Sequence, residues 1–208
     1  MKKFCTFLFA ASFCVGSAAI DQDGEWYLIR TSQDLVDYSN IVNNENNYAK
    51  GRLMNDIDMS GVENFTPIGL FADNDGVQTT FQGEFNGNGF VVKNMTVKIA
   101  NYEVGMFSRI SGGNVHNLGV VNSYFESTDG KRAGALGGEI LFSTVSGCFG
   151  VSNEIVTTSE QKGGLAGEAA GDTRFSRCYT DYAVLSGNLG QLVDNSKQNV
   201  PGEDIMSG

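Results

Sequence analysis

A repeat of thirty residues constrains this chain more than any other feature of its sequence. Gly134-Ala135-Leu136-Gly137 precedes Gly164-Leu165-Ala166-Gly167 by thirty residues. Val115-His116-Asn117-Leu118, Val145-Ser146-Gly147-Cys148 and Phe175-Ser176-Arg177-Cys178 recur at the same spacing. Self-similarity at a fixed period is typical of solenoids, in which each unit buries its apolar face only against its neighbours. The chain is therefore predicted to stack repeated coils into one elongated domain.

Short strands separated by tight turns are predicted for most of the repeat. The chain contains 27 glycines and only 2 prolines, and glycine allows the backbone conformations that tight turns need. From Arg52 onward apolar and polar residues alternate loosely, which indicates strands. An asparagine precedes the apolar residue in both Asn94-Met95 and Asn117-Leu118. Asparagine can satisfy local backbone groups, so these positions are predicted to be corners of the coil.

One amphipathic helix is predicted near the N terminus, after a strand at residues 26–29. Thr31 and Asp34 have the spacing of a capping box, and the residues 43–47 end the helix. The residues of its buried face follow at helical spacing: Leu35, Tyr38, Ser39 and Val42. Such a helix is predicted to cap one open end of the solenoid, where strand edges and the core would otherwise meet water.

Residues 1–19 have the pattern of a cleaved secretory signal. Lys2 and Lys3 precede an apolar stretch at residues 4–15, and the small residues 16–19 follow. The apolar stretch is too short to span a bilayer. The predicted protein is therefore secreted or displayed at the cell surface. Its predicted divisions are the signal (1–19), an N-terminal strand and capping helix (20–50), the β-helix repeats (51–186) and an irregular tail (187–208).

The charge of the chain is strongly acidic. It carries 14 basic and 24 acidic residues, and removal of Lys2 and Lys3 with the signal takes the formal net charge from −10 to −12. Nucleic acids and anionic membranes also present negative charge. A nucleic-acid partner and membrane insertion after removal of the signal are therefore not expected.

Two of the four cysteines, Cys148 and Cys178, remain after removal of the signal and occupy equivalent positions of the repeat. Stacked coils would place them about one strand spacing apart, roughly 4.8 Å, which a disulfide tolerates. Stacked side chains nevertheless point the same way, and Leu118 occupies the same position one coil earlier. A disulfide and two buried free thiols both remain open at this point. Without a histidine cluster the pair does not form a zinc site.

Candidate catalytic residues are few. His116 is the only histidine, and its place inside a repeated strand favours a solvated side chain over a catalytic base. Glu139 and Glu168 follow the two glycine motifs and are the best candidates for the paired carboxylates of a glycoside hydrolase. Counted from Gly134 and Gly164 they differ by one position, which predicts that they lie on opposite faces.

Two short acidic segments resemble calcium loops, namely Asp21-Gln22-Asp23-Gly24 and Asp73-Asn74-Asp75-Gly76. An EF-hand loop needs more ligands and a distant glutamate, which neither segment has. Turn chemistry explains both segments without a metal. Neither a metal nor a cofactor is predicted.

The glycine motifs and the segments before them resemble the GLUG-repeat family of secreted bacterial proteins, named for a Gly-Leu-any-Gly core. Gly164, Leu165 and Gly167 match this core, whereas Gly134 and Gly137 flank an alanine at the leucine position. Further similar segments are Asn55-Asp56-Ile57-Asp58, Pro67-Ile68-Gly69, 81–89 and Asn117-Leu118-Gly119-Val120, so the resemblance covers about residues 29–178. It implies a right-handed parallel β-helix of adhesin-like, often surface-associated proteins, without a catalytic residue set.

These observations predict an all-β, right-handed parallel β-helix with a short N-terminal α-helical cap. The predicted role is non-catalytic, namely adhesion or binding of an extracellular glycan or protein. The alternatives are a polysaccharide-cleaving enzyme and a structural spacer or fragment of a larger surface protein. Converging carboxylates in a cleft would favour the enzyme, a flat aromatic-lined or asparagine-lined face would favour binding, and smooth polar faces would favour the spacer.

Overall fold

In the part of the chain that the structure describes, short parallel strands wind into a β-solenoid of about 4 turns, with one helix near its N-terminal end. The structure is a computed structural model, and it describes residues 20–71 and 79–181. The parallel β-helix with a helical cap is confirmed. The predicted signal, the Asp73–Gly76 segment and the predicted tail after residue 187 lie outside the described residues.

The described residues form twenty strands and one helix. The strands are β1 (Gln22–Asp23), β2 (Trp26–Ile29), β3 (Lys50–Leu53), β4 (Ile57–Asp58), β5 (Glu84–Asn86), β6 (Val91–Lys93), β7 (Thr96–Ile99), β8 (Phe107–Ser111), β9 (Asn114–His116), β10 (Gly119–Val121), β11 (Tyr124–Ser127), β12 (Ala133–Gly134), β13 (Gly137–Leu141), β14 (Thr144–Ser146), β15 (Phe149–Val151), β16 (Glu154–Val156), β17 (Lys162–Gly163), β18 (Ala166–Ala170), β19 (Arg174–Ser176) and β20 (Tyr179–Thr180). The helix, α1, spans Ser32–Asn44.

Equivalent strands of successive coils pair in parallel and build four sheets along the solenoid. Sheet I contains β1, β2, β3, β5, β9, β14 and β19, and sheet II contains β4, β6, β10, β15 and β20. Sheet III contains β7, β11 and β16, and sheet IV contains β8, β13 and β18. Strands β12 and β17 form a separate pair, and the antiparallel pair β1–β2 begins sheet I. Each sheet therefore runs along the solenoid with one inner and one outer face.

The thirty-residue period holds in sheet I from β5 to β19. Val145 is in register with Val115 on one side and with Phe175 on the other. Val115 and Val145 are fully buried, and Phe85 continues the same inner column from the preceding coil. Fully burying a side chain of this size contributes about 1.5–3 kcal/mol. The repeat therefore sets the positions of the core side chains.

The period changes to twenty-nine residues at the glycine motifs, so the predicted alignment of these motifs was wrong there. Gly134 pairs with Gly163, and Gly137 pairs with Ala166. One residue is lost between the register pair Glu126 and Val156, which are thirty residues apart, and the pair Ala133 and Lys162, which are twenty-nine apart. It is regained between Ala170 and Arg174, where the thirty-residue register returns.

This correction changes how the two motifs correspond. With Gly137 opposite Ala166, Leu136 lies opposite Leu165, and its amide donates to the Leu165 carbonyl at 2.9 Å. Both leucines are buried. Leu136 therefore takes the leucine position of its motif, which the sequence alignment had assigned to Ala135.

The predicted asparagine corners are confirmed. Asn94 and Asn117 have positive φ values of 57° and 54°. Gly147 and Arg177, at the next two positions of the Asn117 column, also have positive φ, at 62° and 52°. Asparagine and glycine tolerate this left-handed conformation better than most residues do. Asn117, Gly147 and Arg177 therefore mark the turn between sheets I and II, and Asn94 marks the next turn, between sheets II and III.

Helix α1 begins and packs as its sequence predicts. Thr31 is the N-cap, and its hydroxyl accepts from the Asp34 amide at 3.1 Å while the Asp34 carboxylate accepts from the Thr31 amide at 2.9 Å. The buried residues are Leu35, Tyr38, Ser39 and Val42. Ser39 and Asn43 bind the carbonyl of Pro67. These contacts fix the helix against the segment that follows β4.

Replacement of Thr31 by alanine is expected to lower the free energy of unfolding by about 1 kcal/mol, because the Asp34 amide then loses its acceptor. Urea unfolding followed by circular dichroism would measure the change. Thr144→Ala, at an exposed strand position, is the control and is expected to change stability much less. Equal losses in the two variants would contradict a specific role for the cap.

Candidate functional site

The two sequence-predicted carboxylates, Glu139 and Glu168, lie side by side. They are register partners on β13 and β18, so the prediction that they lie on opposite faces was wrong. The cause is the twenty-nine-residue period at this part of the coil, which the count from Gly134 and Gly164 did not include. The structure thus brings together the only carboxylate pair that the sequence offered for catalysis.

An arginine lies between these carboxylates and binds a third one. Arg132 Nη1 is 2.7 Å from Glu103 Oε1 and 3.6 Å from Glu139 Oε1, and Arg132 Nε contacts Glu168 Oε2. Arg109 forms an ion pair with Glu139 from the other side. We call these five residues the carboxylate–arginine cluster. Three carboxylates and two guanidinium groups leave it with one excess negative charge.

The cluster is largely removed from water. The side chains of Glu103, Glu139 and Glu168 are 2%, 6% and 12% exposed, and that of Arg132 is 25% exposed. Burial raises the pKa of Glu103, although Arg132 partly opposes this effect. Burial alone would lower the pKa of Arg132, but the three surrounding carboxylates outweigh it and raise that pKa. Arg132 is therefore held as a cation among carboxylates.

This geometry suits internal ion pairing better than hydrolysis. A glycoside hydrolase places two carboxylates roughly 5–9.5 Å apart on either side of an accessible glycosidic bond. Here Arg132 contacts both Glu139 and Glu168, and little of either side chain is exposed. A substrate would have to displace the guanidinium group to reach them.

The stability of the fold is expected to depend on Glu103 in an unusual direction. Because its pKa in the folded state lies above the ordinary 4.5, folding disfavours its charged form. The contribution of Glu103 to the free energy of unfolding therefore increases as the pH falls from 7 towards 4.5. It stops changing once the carboxyl group is protonated in both the folded and the unfolded state. Urea unfolding of wild type and Glu103→Gln between these pH values would measure it. The wild type should gain stability relative to the variant on acidification, and a relative loss would contradict the assignment.

His116 lies on the outer face of sheet I and has partners at both ring nitrogens. Nε2 is 3.1 Å from Glu84 Oε1, and Nδ1 is 3.2 Å from Asn117 Nδ2. Ser146 is its register partner on β14. A general base needs a free ring nitrogen that faces its nucleophile, whereas both nitrogens of His116 are engaged. The ring therefore bridges neighbouring polar side chains of the sheet.

The outer face of sheet II carries a run of apolar side chains beside the ion pair of Lys93 and Asp58. Phe149 and Tyr179 are register partners, and Phe149 is also paired with Gly119, which lies opposite Val91. A Cβ atom on Gly119 would lie 2.4 Å from Phe149 Cζ and 2.7 Å from Val91 Cγ1. The phenylalanine ring therefore lies across the glycine and reaches the valine. Glycine at this position allows a ring to lie along the sheet.

A second apolar column runs beside the first. Val121 and Val151 are in register and are partly exposed. Tyr179, at the end of the first column, is 36% exposed, and the second column continues from Val121 to Lys93 and Asp58. We define the sheet II face by the residues Val91, Val121, Phe149, Val151 and Tyr179. It offers continuous apolar side chains with the tyrosine hydroxyl at its edge.

The outer faces of sheets I and III are polar by comparison. On sheet III, Lys98 binds Glu126 at 2.8 Å, and the Tyr124 hydroxyl donates to the same carboxylate at 2.7 Å. On sheet I, Glu84 and His116 form the pair described above. Apolar residues that share one outer face while neighbouring faces are polar indicate a contact surface.

Cys148 and Cys178 are free thiols, and both are buried. Each sulfur lies 3.6 Å from the carbonyl of a sheet I residue on the preceding coil, Val115 and Val145 respectively. The neighbouring Cys178 thiol and burial raise the pKa of Cys148. Of the two readings left open by the sequence, the structure has the unbonded one, with both cysteines continuing the core column of Leu118.

The remaining site predictions concern metals and membranes. Within residues 20–71 and 79–181, no three His, Cys, Asp or Glu side chains are grouped so that they could hold a metal ion. In the segment Asp21-Gln22-Asp23-Gly24, Asp21 binds Arg30 at 3.0 Å and Gly24 turns the chain from β1 to β2 with a φ of 60°. The same described part of the chain has no helix whose length and apolarity would let it cross a membrane.

The glycine-motif residues bring coil backbones into close contact. Gly134 approaches the backbone of Ala166, and Gly167 approaches the backbone of Ala133.

The sequence alone did not identify Glu103 and Arg132 as partners. Glu103 lies two residues before Gly105, and Arg132 lies two residues before Gly134. Arg132 follows Glu103 by twenty-nine residues, and Gln161 follows Arg132 by the same number. Arg132 Nε donates to Gln161 Oε1 at 3.0 Å, so this polar column was present in the sequence at the corrected period.

Comparisons with known proteins give one distant similarity. No known family model and no curated protein sequence matches the chain. Among solved structures, the chain is similar to the crystal structure of a putative immunoglobulin A1 protease from Bacteroides ovatus, with a TM-score of 0.49 and 18% sequence identity. The similarity covers 79% of this chain and 59% of that chain. The chain therefore spans about three fifths of the length of the protein to which it is similar.

Proposed function

We propose that this chain is a secreted or surface-displayed, non-catalytic β-solenoid that binds an extracellular protein through the sheet II face. The apolar character of this face carries the proposal. Phe149 and Val151 lie on one strand, and Tyr179 is the register partner of Phe149 on the next coil. Exposed apolar patches bordered by polar residues are typical of protein-interaction sites.

A protein fits this face better than a glycan does. Sugar hydroxyl groups need several hydrogen-bonding side chains, whereas the five residues of the face supply only the tyrosine hydroxyl. Aromatic residues such as Phe149 and Tyr179 are enriched in the centres of protein interfaces. The acidic net charge of the chain keeps the rest of the surface soluble and favours a partner that is neutral or basic.

The alternative of a polysaccharide-cleaving enzyme has less support. Its only candidates, Glu139 and Glu168, are ion-paired with Arg132. A structural spacer would have polar outer faces on all sides, and the sheet II face does not have this character. The GLUG-repeat family and a secreted location, which the sequence indicates, belong to the same proposal and agree with a binding role.

A charge introduced into the sheet II face tests the proposal. Wild type, Val151→Glu and the control Thr144→Glu would be passed over immobilised fibronectin, fibrinogen, laminin and collagen with detection by biolayer interferometry. Thr144 is exposed on the polar outer face of sheet I, so the control adds the same charge elsewhere. We expect saturable binding that Val151→Glu weakens at least tenfold and Thr144→Glu leaves unchanged. Equal binding by all three proteins, or no saturable binding by wild type, would contradict it.

A further inference from the structure

A second surface feature lies at the N-terminal end of the solenoid, away from the sheet II face. A depression of about 420 Å³ opens between the antiparallel pair β1–β2 and the segment that leads from α1 into β3. Its lining includes Gln22, Glu25, Tyr27, Asn46, Tyr48 and Lys50. Binding sites for small molecules commonly have volumes of about 300–1,000 Å³. The depression is therefore large enough for a small ligand.

The side chain of Tyr48 is unusually exposed for an aromatic residue. It is 62% exposed, although its backbone is firmly held. Its amide donates to Asn46 Oδ1 at 3.1 Å, and its carbonyl group lies so close to Gly83 that a Cβ atom there would be 2.9 Å away. An exposed ring on a rigid backbone can stack against a ligand without a large rearrangement of the chain. Such preorganisation lowers the entropy lost on binding.

Tyr27 supplies a second ring in the depression. It lies in β2 and is half-buried. Its ring meets that of buried Tyr38 edge-on, with centroids 6.0 Å apart and an angle of 60° between the planes. The Tyr38 hydroxyl in turn donates to the Ala49 carbonyl at 2.9 Å. Tyr27 is therefore fixed in place, and the depression combines one held ring with one exposed ring.

The two charged side chains of the depression, Glu25 and Lys50, have opposite charges that cancel. Glu25 Oε2 and Lys50 Nζ are 2.7 Å apart, and the hydrogen bond from Lys50 lowers the pKa of Glu25. Both groups are therefore charged at neutral pH. Gln22 and Asn46 add neutral amides that donate as well as accept hydrogen bonds. The site offers donors and acceptors together without a net charge.

We infer that this depression binds a neutral saccharide. The negatively charged face of an aromatic ring attracts the C–H face of a pyranose, and the amides and the charged pair can bind its hydroxyl groups. An anionic ligand would gain no net attraction from the Glu25–Lys50 pair, whose charges cancel, and a metal ion would meet a single carboxylate already bound to Lys50. The inference is independent of the proposed protein-binding function, because it uses different residues at a different place.

The only tryptophan of the chain, Trp26, provides an internal probe. Lys50 Nζ lies 5.9 Å from the centre of its ring, so a ligand that rearranges Lys50 would change the tryptophan fluorescence. The full chain would be titrated with neutral oligosaccharides of glucose, xylose, mannose and N-acetylglucosamine up to millimolar concentrations. An oligosaccharide of galacturonic acid would serve as the acidic comparison. Calorimetry would confirm the stoichiometry.

Three variants separate stacking from a general effect on the fold. Tyr48→Ala removes the exposed ring, and Tyr48→Phe keeps it. Phe142→Ala removes a ring that is 65% exposed elsewhere on the solenoid. We expect at least one neutral sugar to bind at one site per chain, Tyr48→Ala to weaken it roughly tenfold, and the other two variants to bind like wild type.

Three results would overturn the inference. The first is that no neutral sugar gives a saturable response, and the second is that the acidic oligosaccharide binds more tightly than the neutral ones. The third is that Tyr48→Ala binds as well as wild type while thermal unfolding shows that the variant is folded. None of these results bears on the sheet II face, which Val151→Glu tests with immobilised proteins. The two proposals can therefore fail separately.

Discussion

Replacement of Arg132 by methionine should lower the free energy of unfolding by about 3–5 kcal/mol at pH 7. The guanidinium group is the shared partner of Glu103, Glu139 and Glu168. Its removal leaves buried carboxylates without their cation, apart from the contact of Arg109 with Glu139. Methionine replaces the unbranched part of the side chain as far as Nε but cannot compensate the charge. Chemical unfolding at several pH values would measure the loss.

The same substitution at an exposed ion pair provides the control. Arg30 binds Asp21 at 3.0 Å, but these side chains are 42% and 75% exposed. Exposed pairs contribute about 0–1 kcal/mol, so Arg30→Met should have a small effect. The destabilisation by Arg132→Met should also shrink as the pH falls towards 4.5, because protonated carboxyl groups no longer need a cation. A loss below about 1 kcal/mol at pH 7 would show that the cluster does not depend on Arg132.

Replacement of Gly167 by alanine should destabilise the fold by about 3 kcal/mol. A Cβ atom at this position would lie 2.6 Å from the Ala133 nitrogen and 2.7 Å from the Gly138 carbonyl oxygen. Both atoms belong to the backbone of the preceding coil and cannot rotate away. The variant must therefore separate two coils at the glycine motif. Thermal unfolding monitored by circular dichroism would measure the effect.

Gly137, in the preceding coil, is the matched control for Gly167→Ala. Its nearest neighbours to an added Cβ atom are two side-chain carbons of Ile140, at 3.1 Å and 3.3 Å. A side chain can adjust, so Gly137→Ala should cost less than about 1 kcal/mol. If the two variants lowered the free energy of unfolding by similar amounts, conformational entropy, and not the close approach of neighbouring coils, would explain why glycine occupies these positions.

The parts of the fold that follow local rules were predictable from the sequence. Thr31 and Asp34 act within one turn of the chain, and the capping box needs only their spacing. Asn117 marks a corner because its own conformation requires a residue that tolerates positive φ. Such features depend on a few neighbouring residues, and the sequence contains them completely.

The carboxylate–arginine cluster could not be predicted in the same way. The count from the glycine motifs placed Glu139 and Glu168 one position apart, because a fixed period cannot show that one corner is a residue shorter than the next. Register in a solenoid is set by the length of each corner as well as by the repeat. Arg132 follows Lys131 in the sequence, but its three carboxylate partners become neighbours only after the register is known.

The register changes by one residue before β17 and changes back after β18, and two segments of neighbouring coils therefore match without a gap. Residues 133–141 and 162–170 are both nine residues long and correspond position by position. The short corner before the second segment and the long corner after it restore the register of sheet I. One nine-residue cassette could therefore be exchanged for the other without shifting any strand beyond it. The sequence of this edge of the coil can therefore change without changing the register of the sheets that follow it.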